Sequence, residues 1–342
     1  MLLTGKKIIL FGAGSVGKRA LDYFGDDKIY CFADNIKAGQ TFLGKTIISF
    51  SEMREAQNIY DIVLTVGFTL LPELEKQFCE GGVSYSNFYE LETHEGYPSI
   101  PSIRQFKNRH IGNRVFLVGN GPSLAAEDLT MLHEREEITF GCNAIGKIFC
   151  QTHWRPRYYV VQDGSFFASH GEILAKTEAK YKFLPKRNYN NDVLELLRHG
   201  KGEVHYFRQL VLPNKPISPF FSPDASKALY LYGTVMYTMI QLAIYMGTAD
   251  IYLVGVDGTA VSPMDISDYL SMKRHFYSEN YESVKQTVSD RKLPGTKEMT
   301  AIINQAYVKA EKYAKENGIR IHNASRGGEL KIFEHVDFSS LF

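Results

Sequence analysis

The sequence has little cysteine and no excess of charge of either sign. Its four cysteines are scattered among 342 residues, without a CxxC pair or another metal-ligating spacing. The 39 lysines and arginines are balanced by 38 aspartates and glutamates, which leaves a net charge of +1. This balance argues against a nucleic-acid partner, because such proteins usually carry a basic surplus. The scattered cysteines are typical of buried free thiols, and they predict a cytoplasmic location.

Long hydrophobic runs are also scarce. The apolar stretch at the N-terminus is short and leads into a glycine loop, so it does not have the pattern of a signal peptide. Residues 228–249 are uncharged over about the length of a membrane span, but they include four tyrosines, Gly233, Thr234 and Gln241. We therefore expect a buried helix here and no transmembrane segment. Peripheral contact with a membrane stays open.

The length of the chain predicts two domains. Strand-like apolar runs alternate with helical patterns on both sides of a proline-bearing stretch near residue 98, where the boundary is expected. The predicted organisation is a small N-terminal domain at residues 1–98, a linker at 99–112 and a larger domain at 113–342. The predicted fold class is α/β, with two Rossmann-like domains whose parallel sheets are flanked by helices.

The larger domain is organised around a glycine-rich segment that follows an apolar strand. Val115–Val118 has the composition of a buried parallel strand. Glycines allow a close backbone approach, and a serine at the end of the loop is a good helix N-cap. A loop between a strand and a helix directs backbone amides at an anion, which favours phosphate binding over a tight turn without a ligand. The predicted nucleotide-binding residues of this loop are Gly119, Asn120, Gly121, Pro122 and Ser123.

Other candidates follow from the rule that ligands bind beyond the carboxyl ends of parallel strands. Asn143, Asp163 with Gly164, and Asp257 all follow predicted strands. An Asx-turn is an equally good interpretation for Asp163. Gly233 and Thr234 open the long uncharged helix, whose N-terminal amides could meet a phosphate.

The N-terminal domain carries a GxGxxG motif after its first predicted strand. Gly12, Gly14 and Gly17 form the motif, and Asp34 ends the next strand about twenty residues later, as in a dinucleotide fingerprint. This pattern predicts a nucleotide or cofactor site. A vestigial fold used for docking or dimerisation is the alternative, and both stay open.

Several segments resemble one known superfamily. The sequence Val118–Leu124 is similar to the opening motif of the MptE-like superfamily, also catalogued as domain of unknown function 115. Val254–Gly258, His275 with Phe276, and Asn323–Gly328 resemble its later motifs. The superfamily includes archaeal 6-hydroxymethylpterin diphosphokinases, motility-accessory flagellin glycosyltransferases and, more distantly, bacterial CMP-sialic acid sialyltransferases. The N-terminal domain resembles small Rossmann-like modules attached to sugar-modifying enzymes.

The resemblance assigns roles to three residues. It implies that Asp257 contacts a ribose, the acceptor or Mg²⁺ as a catalytic carboxylate, and that Arg326 reaches a phosphate. It also implies that His275 takes the proton of the acceptor hydroxyl. The sialyltransferases carry their histidine shortly before the helix that corresponds to 297–316, where this sequence has none. This departure argues against a sialyltransferase assignment.

The sequence thus predicts a transferase that uses a nucleotide-sugar donor, with a CMP-sugar as one option, and a surface-glycan acceptor. One alternative is Mg²⁺- and ATP-dependent diphosphate transfer to a pterin, with Asp163 and Asp257 as metal ligands. A second is a nucleotide-binding module without turnover. The sequence leaves open the base, the sugar, the acceptor, the metal requirement and whether the protein forms homo-oligomers.

Overall fold

A computed structural model describes residues 3–67, 70–88, 91, 100–186, 195, 197, 199–211, 219–258, 260–262, 264–279, 281–288 and 295–342. The chain divides into two compact units. One lies within residues 1–98, and the other comprises residues 99–211 and 219–342. Residues 92–99, where the boundary is predicted, lie outside the described ranges.

The first unit is built on a six-stranded sheet. Its strands are β1 (Ile8–Phe11), β2 (Ile29–Ala33), β3 (Thr41–Phe42), β4 (Lys45–Ile48), β5 (Asp61–Leu64) and β6 (Ser86–Asn87). Its helices are α1 (Ser15–Phe24), α2 (Phe50–Ala56) and α3 (Leu71–Glu80). The strand order is β3-β4-β2-β1-β5-β6; β3 pairs with β4 antiparallel, and the other neighbouring strands in this order pair parallel. Every residue of β1 is buried, as expected for a central parallel strand.

The second unit contains an eight-stranded sheet whose neighbouring strands are all parallel. These strands are β7 (Arg114–Val118), β8 (Thr139–Cys142), β9 (Tyr158–Val160), β10 (Tyr181–Pro185), β11 (Glu203–Phe207), β14 (Asp250–Val254), β15 (Arg320–Asn323) and β16 (Glu334–His335). β12 (Gln209–Val211) and β13 (Leu229–Leu231) form a separate two-stranded sheet. The order of the large sheet is β11-β10-β9-β8-β7-β14-β15-β16.

The helices of this unit are α4 (Pro101–Arg104), α5 (Ala126–Glu134), α6 (Gly164–Lys176), α7 (Val235–Tyr245), α8 (Ile266–Ser271), α9 (Tyr281–Val288) and α10 (Thr296–Glu316). Two 3₁₀ helices span Asn143–Ile148 and Phe338–Leu341. α7 packs against β7 and β9, and α10 packs against α7 and β15. Both units therefore have the predicted α/β fold with parallel sheets and flanking helices, which confirms the fold class.

The strand order places a topological switch point beside β7. Strands β8 to β11 extend from one side of β7 in chain order, whereas β14 and β15 lie on its other side. The crossovers after β7 and β14 therefore leave in opposite directions, which opens a crevice at the carboxyl ends of these two strands. The glycine-rich segment after β7 lies at this crevice.

Two expectations about local structure need correction. The uncharged run at residues 228–249 is not one long helix, because β13 precedes α7 and Gly233 turns the chain between them with φ +66°. Among the described residues, no helix is both long and apolar enough to span a bilayer. The predicted linker also includes structured residues: α4, Phe106 and His110 pack into the second unit, where the Asn108 and His110 amides donate to the carbonyls of Tyr245 and Met246.

Candidate functional site

A cavity of about 190 Å³ lies at the switch point. The loops after β7, β8 and β14 form one part of its wall, and the start of α7, one face of α10 and residues 274–275 form the remainder. The volume is smaller than the roughly 300–1,000 Å³ of most ligand pockets, so the enclosed part fits a portion of a ligand of nucleotide size.

The cavity brings together seven of the residues that the sequence singled out. They are Gly119, Asn120, Gly121, Asn143, Thr234, Asp257 and His275. Six other candidates are not among its lining residues: Pro122, Ser123, Asp163, Gly164, Gly233 and Arg326. The sequence thus singled out most of the polar lining from three strand ends, one helix start and, for His275, the family resemblance.

The glycine loop is held by hydrogen bonds to the loop after β14. The Gly119 amide donates to the Val254 carbonyl at 2.8 Å, and the Gly121 amide donates to the Gly255 carbonyl at 2.8 Å. The Ser123 amide donates to Asp257 Oδ2 at 3.2 Å. The expectation that these amides are free for an anion is therefore wrong for this conformation.

The two glycines of this loop are required by the closeness of the neighbouring loop. A Cβ at position 119 would lie 2.5 Å from the Gly255 carbonyl oxygen. A Cβ at position 121 would overlap Asp257 Oδ2 and lie 2.7 Å from the same carbonyl. The loops after β7 and β14 can therefore approach this closely only because positions 119 and 121 carry no side chain.

Ser123 does not cap a helix, contrary to the prediction. α5 begins three residues later, and its N-cap is Ala125 without a side-chain hydrogen bond. The Ser123 hydroxyl is buried and has no hydrogen-bond partner within the described ranges. The residue contributes its backbone amide, which fixes the carboxylate of Asp257.

Asp257 is buried in the cavity wall, with 7% of its surface exposed. Its backbone is fixed as firmly as its carboxylate, because its carbonyl accepts the Glu329 amide at 2.7 Å. A Cβ at Gly328 would overlap the backbone of Asp257, so glycine is needed on this side as well. The structure thus presents a single, preorganised carboxylate at the end of β14.

Asn120 and Asn143 contribute buried side-chain oxygens. Asn120 Nδ2 donates to the Cys142 carbonyl at 3.0 Å, which fixes the orientation of its amide. The Oδ1 atoms of both asparagines are buried and have no hydrogen-bond partner among the residues described. Asn143 also adopts a left-handed backbone with φ +47°, which is uncommon for a residue other than glycine. Unpaired acceptors and backbone strain of this kind concentrate at functional sites.

His275 lies against the glycine loop. Its Nδ1 atom is 3.3 Å from the Asn120 carbonyl, and the Phe276 amide donates to the same carbonyl at 3.1 Å. Burial lowers the pKa of His275, and the negative charge of Glu279 opposes this shift. The depressed pKa keeps the imidazole largely neutral near pH 7, as a general base requires.

The start of α7 faces the cavity. The Thr234 hydroxyl is the N-cap and accepts the Met236 amide at 3.3 Å, while Thr234, Val235 and Met236 all line the cavity. Tyr307 of α10 lies beside them, and burial raises the pKa of its phenol well above the ordinary value. A protonated phenol and a helix N-terminus both favour an anionic ligand group. Gly233 precedes this cap and supplies the left-handed turn into the helix.

Tyr307 and Arg274 are lining residues that sequence reasoning missed. Tyr307 belongs to a helix with an apolar stripe, on which a tyrosine is usually a core residue. The sequence held one signal for a role of Arg274 in the site, namely its position directly before His275. Only the folded chain shows that both reach the cavity.

Asp163 and Asp257 are not brought together. Asp163 is exposed after β9, and Gly164 is the first residue of α6. β8 and β7 lie between β9 and β14, a separation of about 14 Å at the usual strand spacing. This separation of the strand ends counts against a single Mg²⁺ ion, whose ligands lie near 2.1 Å, as a bridge between the two carboxylates. In the described part of the chain, no three His, Cys, Asp or Glu side chains cluster as metal ligands.

Arg326 lies outside the cavity lining and has a protein partner. Its guanidinium makes a bidentate pair with Asp128, with distances of 2.8 and 2.6 Å. Asp128 is only 2% exposed, so this arginine neutralises a buried carboxylate. A contact between Arg326 and a phosphate stays a prediction.

The N-terminal GxGxxG forms the strand–loop–helix geometry of its motif. A Cβ at Gly12 would lie 2.5 Å from the Thr65 carbonyl, and one at Gly17 would overlap the Gly12 carbonyl. A Cβ at Gly14 would meet nothing within 4 Å. Asp34 accepts the Ala13 amide at 3.0 Å, so the carboxylate predicted to hold a ribose is bonded to the glycine loop itself. Ligand binding at this loop stays a prediction.

The expectation of buried free thiols holds for two of the four cysteines. Cys31 and Cys142 are buried and free, whereas Cys79 and Cys150 are free and exposed. Cys142 lines the cavity, where burial raises its pKa to about 12. A thiol whose pKa is raised in this way stays protonated at neutral pH, which argues against a nucleophilic role for Cys142.

Comparison with known proteins agrees with the motifs after β7 and β14. The family model described as 6-hydroxymethylpterin diphosphokinase MptE-like matches residues 86–260, just over half of the 342 residues. Among solved structures, the MAf glycosyltransferase from Magnetospirillum magneticum AMB-1 is similar at 13% sequence identity with a TM-score of 0.44. The similarity covers 99% of this chain and 58% of that one. No curated protein matches. The family match, which includes the glycine loop and Asp257, shows that this chain belongs to the MptE-like family.

Proposed function

We propose that the second unit is a glycosyltransferase that binds a nucleotide-activated sugar in the cavity and transfers the sugar to a hydroxyl group of a glycan acceptor. The observation that carries this proposal is the convergence of three groups at the switch point: the Asp257 carboxylate, the His275 imidazole and the N-terminus of α7. Crevices at such switch points are the usual ligand sites of open α/β sheets.

Each group has a role in the proposed reaction. The N-terminus of α7 and the Tyr307 phenol stabilise the phosphate of the donor by hydrogen bonds and by the helix dipole. Asp257, with its carboxylate fixed by the Ser123 amide, accepts hydrogen bonds from hydroxyl groups of the ribose or the acceptor. His275 is the general base.

The transfer step is balanced in atoms and charge. The acceptor O–H bond breaks and its proton moves to His275 Nε2. The acceptor oxygen forms a bond to the anomeric carbon of the sugar, and the bond from that carbon to the phosphate oxygen breaks. The electron pair leaves with the nucleotide, whose added negative charge lies next to the start of α7 and Arg274.

Diphosphate transfer from ATP to a pterin is the second candidate, because the matching family is described by that activity. Such chemistry uses Mg²⁺ to bridge the phosphates of ATP. The distance between the strand ends that carry Asp163 and Asp257 counts against the metal site expected for it. Glycosyl transfer is favoured because fixed side-chain and backbone donors can stabilise a leaving phosphate.

A binding screen and a metal test distinguish the candidates. We expect titration calorimetry of the full chain to detect a pyrimidine nucleotide, CMP, CDP or UDP, and the Asp257→Asn variant to lose this binding. Transfer from the corresponding nucleotide-sugar should continue in EDTA. ATP binding combined with loss of all activity in EDTA would support the diphosphokinase instead, and nucleotide binding without any turnover would support a binding module.

The proposal also includes the wider setting. It takes in a cytoplasmic location, a role in surface polysaccharide biosynthesis, and either a nucleotide or cofactor site or a docking or dimerisation role for the N-terminal domain. The division into a separate N-terminal domain at residues 1–98 is part of the same proposal. Limited proteolysis that yields a stable fragment beginning near residue 100 would support this division.

A further inference from the structure

Glu279 is the point at which three side chains near the cavity meet. Its Oε2 atom lies 3.1 Å from Arg274 Nη1, accepts the Tyr269 hydroxyl at 3.2 Å and lies 3.6 Å from His275 Nε2. The Arg274 guanidinium also packs over the Tyr269 ring at 3.0 Å. These contacts fix the position of a partly buried carboxylate, which is 19% exposed.

Both ring nitrogens of His275 face acceptors. Nδ1 faces the Asn120 carbonyl at 3.3 Å, and Nε2 faces Glu279. A neutral imidazole carries one N–H and can satisfy one of these oxygens, whereas an imidazolium carries two. The surroundings of His275 are therefore complementary to the protonated ring.

We infer that Glu279 is a positioning residue that stabilises the imidazolium formed when His275 takes the proton of the acceptor. The inference deepens the proposed function and rests on it. In the resting state the Nδ1–H of His275 donates to the Asn120 carbonyl, and Nε2 is free to accept a proton. After transfer the Nε2–H faces the Glu279 carboxylate, so the pair is neutral as a whole. The proton leaves to water when the products depart.

The charges around His275 define the size of the effect. Burial, Arg274 and Lys147 lower the pKa of His275, while Glu279 and the Asn120 carbonyl raise it. Lys147 lies close to the same group of rings: its ammonium is 3.9 Å from the centroid of the Tyr277 ring, which stacks on the imidazole with the ring centroids 5.0 Å apart. When Glu279 is removed, the charges of Arg274 and Lys147 remain next to His275, and both are positive. Its removal should therefore lower the pKa of His275 strongly.

The test is an NMR titration of the histidine side chains in the full-length protein. The His275 signal is assigned by its absence from the His275→Gln variant, since the chain has 10 histidines. In Glu279→Gln we expect the pKa of His275 to fall by about one unit or more, as for loss of an opposite charge at this range. Glu282→Gln, the same change at an exposed side chain three residues away, is the matched control and should leave the pKa unchanged.

An unchanged pKa of His275 in Glu279→Gln overturns the inference, whatever the activity. If that variant does not fold, Glu279→Ala removes the same charge and must give the same downward shift. In an active preparation, the acid limb of the pH–rate profile should move to lower pH by the same amount in Glu279→Gln, and nucleotide affinity should stay the same. If the pKa of His275 falls as expected in Glu279→Gln but the wild-type protein transfers no sugar, the role of Glu279 is supported and the proposed function is contradicted.

Discussion

The substitution Gly121→Ala tests the central feature of the site, the close contact between the glycine loop and the loop after β14. The new methyl group would overlap Asp257 Oδ2 and lie 2.7 Å from the Gly255 carbonyl oxygen. That carbonyl cannot easily move, because it accepts the Gly121 amide at 2.8 Å. The carboxylate must therefore move, and it loses the hydrogen bond from Ser123.

The expected magnitude follows from these two contacts. Overpacking of this kind costs about 1–3 kcal/mol, and loss of a hydrogen bond to a charged group costs about 1.5–3 kcal/mol. Both costs arise from the same displacement of Asp257, so they do not add in full. We expect the second unit to lose about 2–4 kcal/mol of unfolding free energy. Nucleotide affinity should fall at least about tenfold, which corresponds to about 1.4 kcal/mol of binding free energy.

The matched control is Gly14→Ala in the N-terminal loop. Gly14 occupies the same place in its loop, but a Cβ there meets nothing within 4 Å, and its φ of −138° is open to any residue. We expect a loss of less than about 1 kcal/mol, the usual cost of alanine at an N-cap, and unchanged nucleotide affinity.

Urea unfolding and titration calorimetry of both variants decide the outcome. A Gly121→Ala variant with wild-type stability and affinity would refute the steric reasoning. If Gly14→Ala alone removes nucleotide binding, the N-terminal GxGxxG is the nucleotide site and the cavity in the second unit has another role.

Three further substitutions probe other parts of the unit. Asp257→Asn should abolish nucleotide binding or turnover while circular dichroism and the melting temperature stay close to wild type, and an active variant would remove this residue from the site. Arg326→Met should lower the unfolding free energy by about 3 kcal/mol, because Asp128 is left buried and unpaired. Nucleotide affinity should stay the same in this variant. A loss of affinity without a loss of stability would instead support binding of a phosphate by Arg326. Burial lowers the pKa of His110 to about 4 in the folded protein. Between pH 6.5 and 4 the unfolded chain therefore binds one more proton at this residue than the folded chain does. The free energy of unfolding should fall by about 2.5 kcal/mol when the pH is lowered from 7 to 4.5. His110→Gln, which also loses the contact to Tyr158 at 2.7 Å, should flatten this pH dependence, and an unchanged slope would contradict the shifted pKa.

The sequence determined the fold class and the positions of the strand ends. Apolar runs such as Val115–Val118 are long enough to be read as buried strands, and this run lies in β7 (Arg114–Val118). Because parallel strands end at one edge of a sheet, the residues after β7, β8 and β14 could be collected into one candidate site before the structure was known. Their residue types then indicated a polar ligand.

Tertiary structure decided which strand ends are neighbours. Asn143 and Asp257 reach the cavity because β8 and β14 lie on either side of β7, whereas Asp163 follows a strand farther out. The strand order depends on the direction of each crossover, and no local pattern encodes it. The same limit explains why the glycine amides were expected to be free, since their acceptors lie more than 130 residues away in the sequence.

The sequence alone therefore specified the chemical groups, and the fold assigned their partners. Local composition can indicate a carboxylate, an imidazole or a glycine turn, because each follows from a few adjacent residues. The contacts that set their chemistry, such as Ser123 with Asp257 and Asn120 with His275, join distant segments. These contacts exist only when the core has packed, because the hydrophobic burial that drives packing fixes which loops meet at the edge of the sheet.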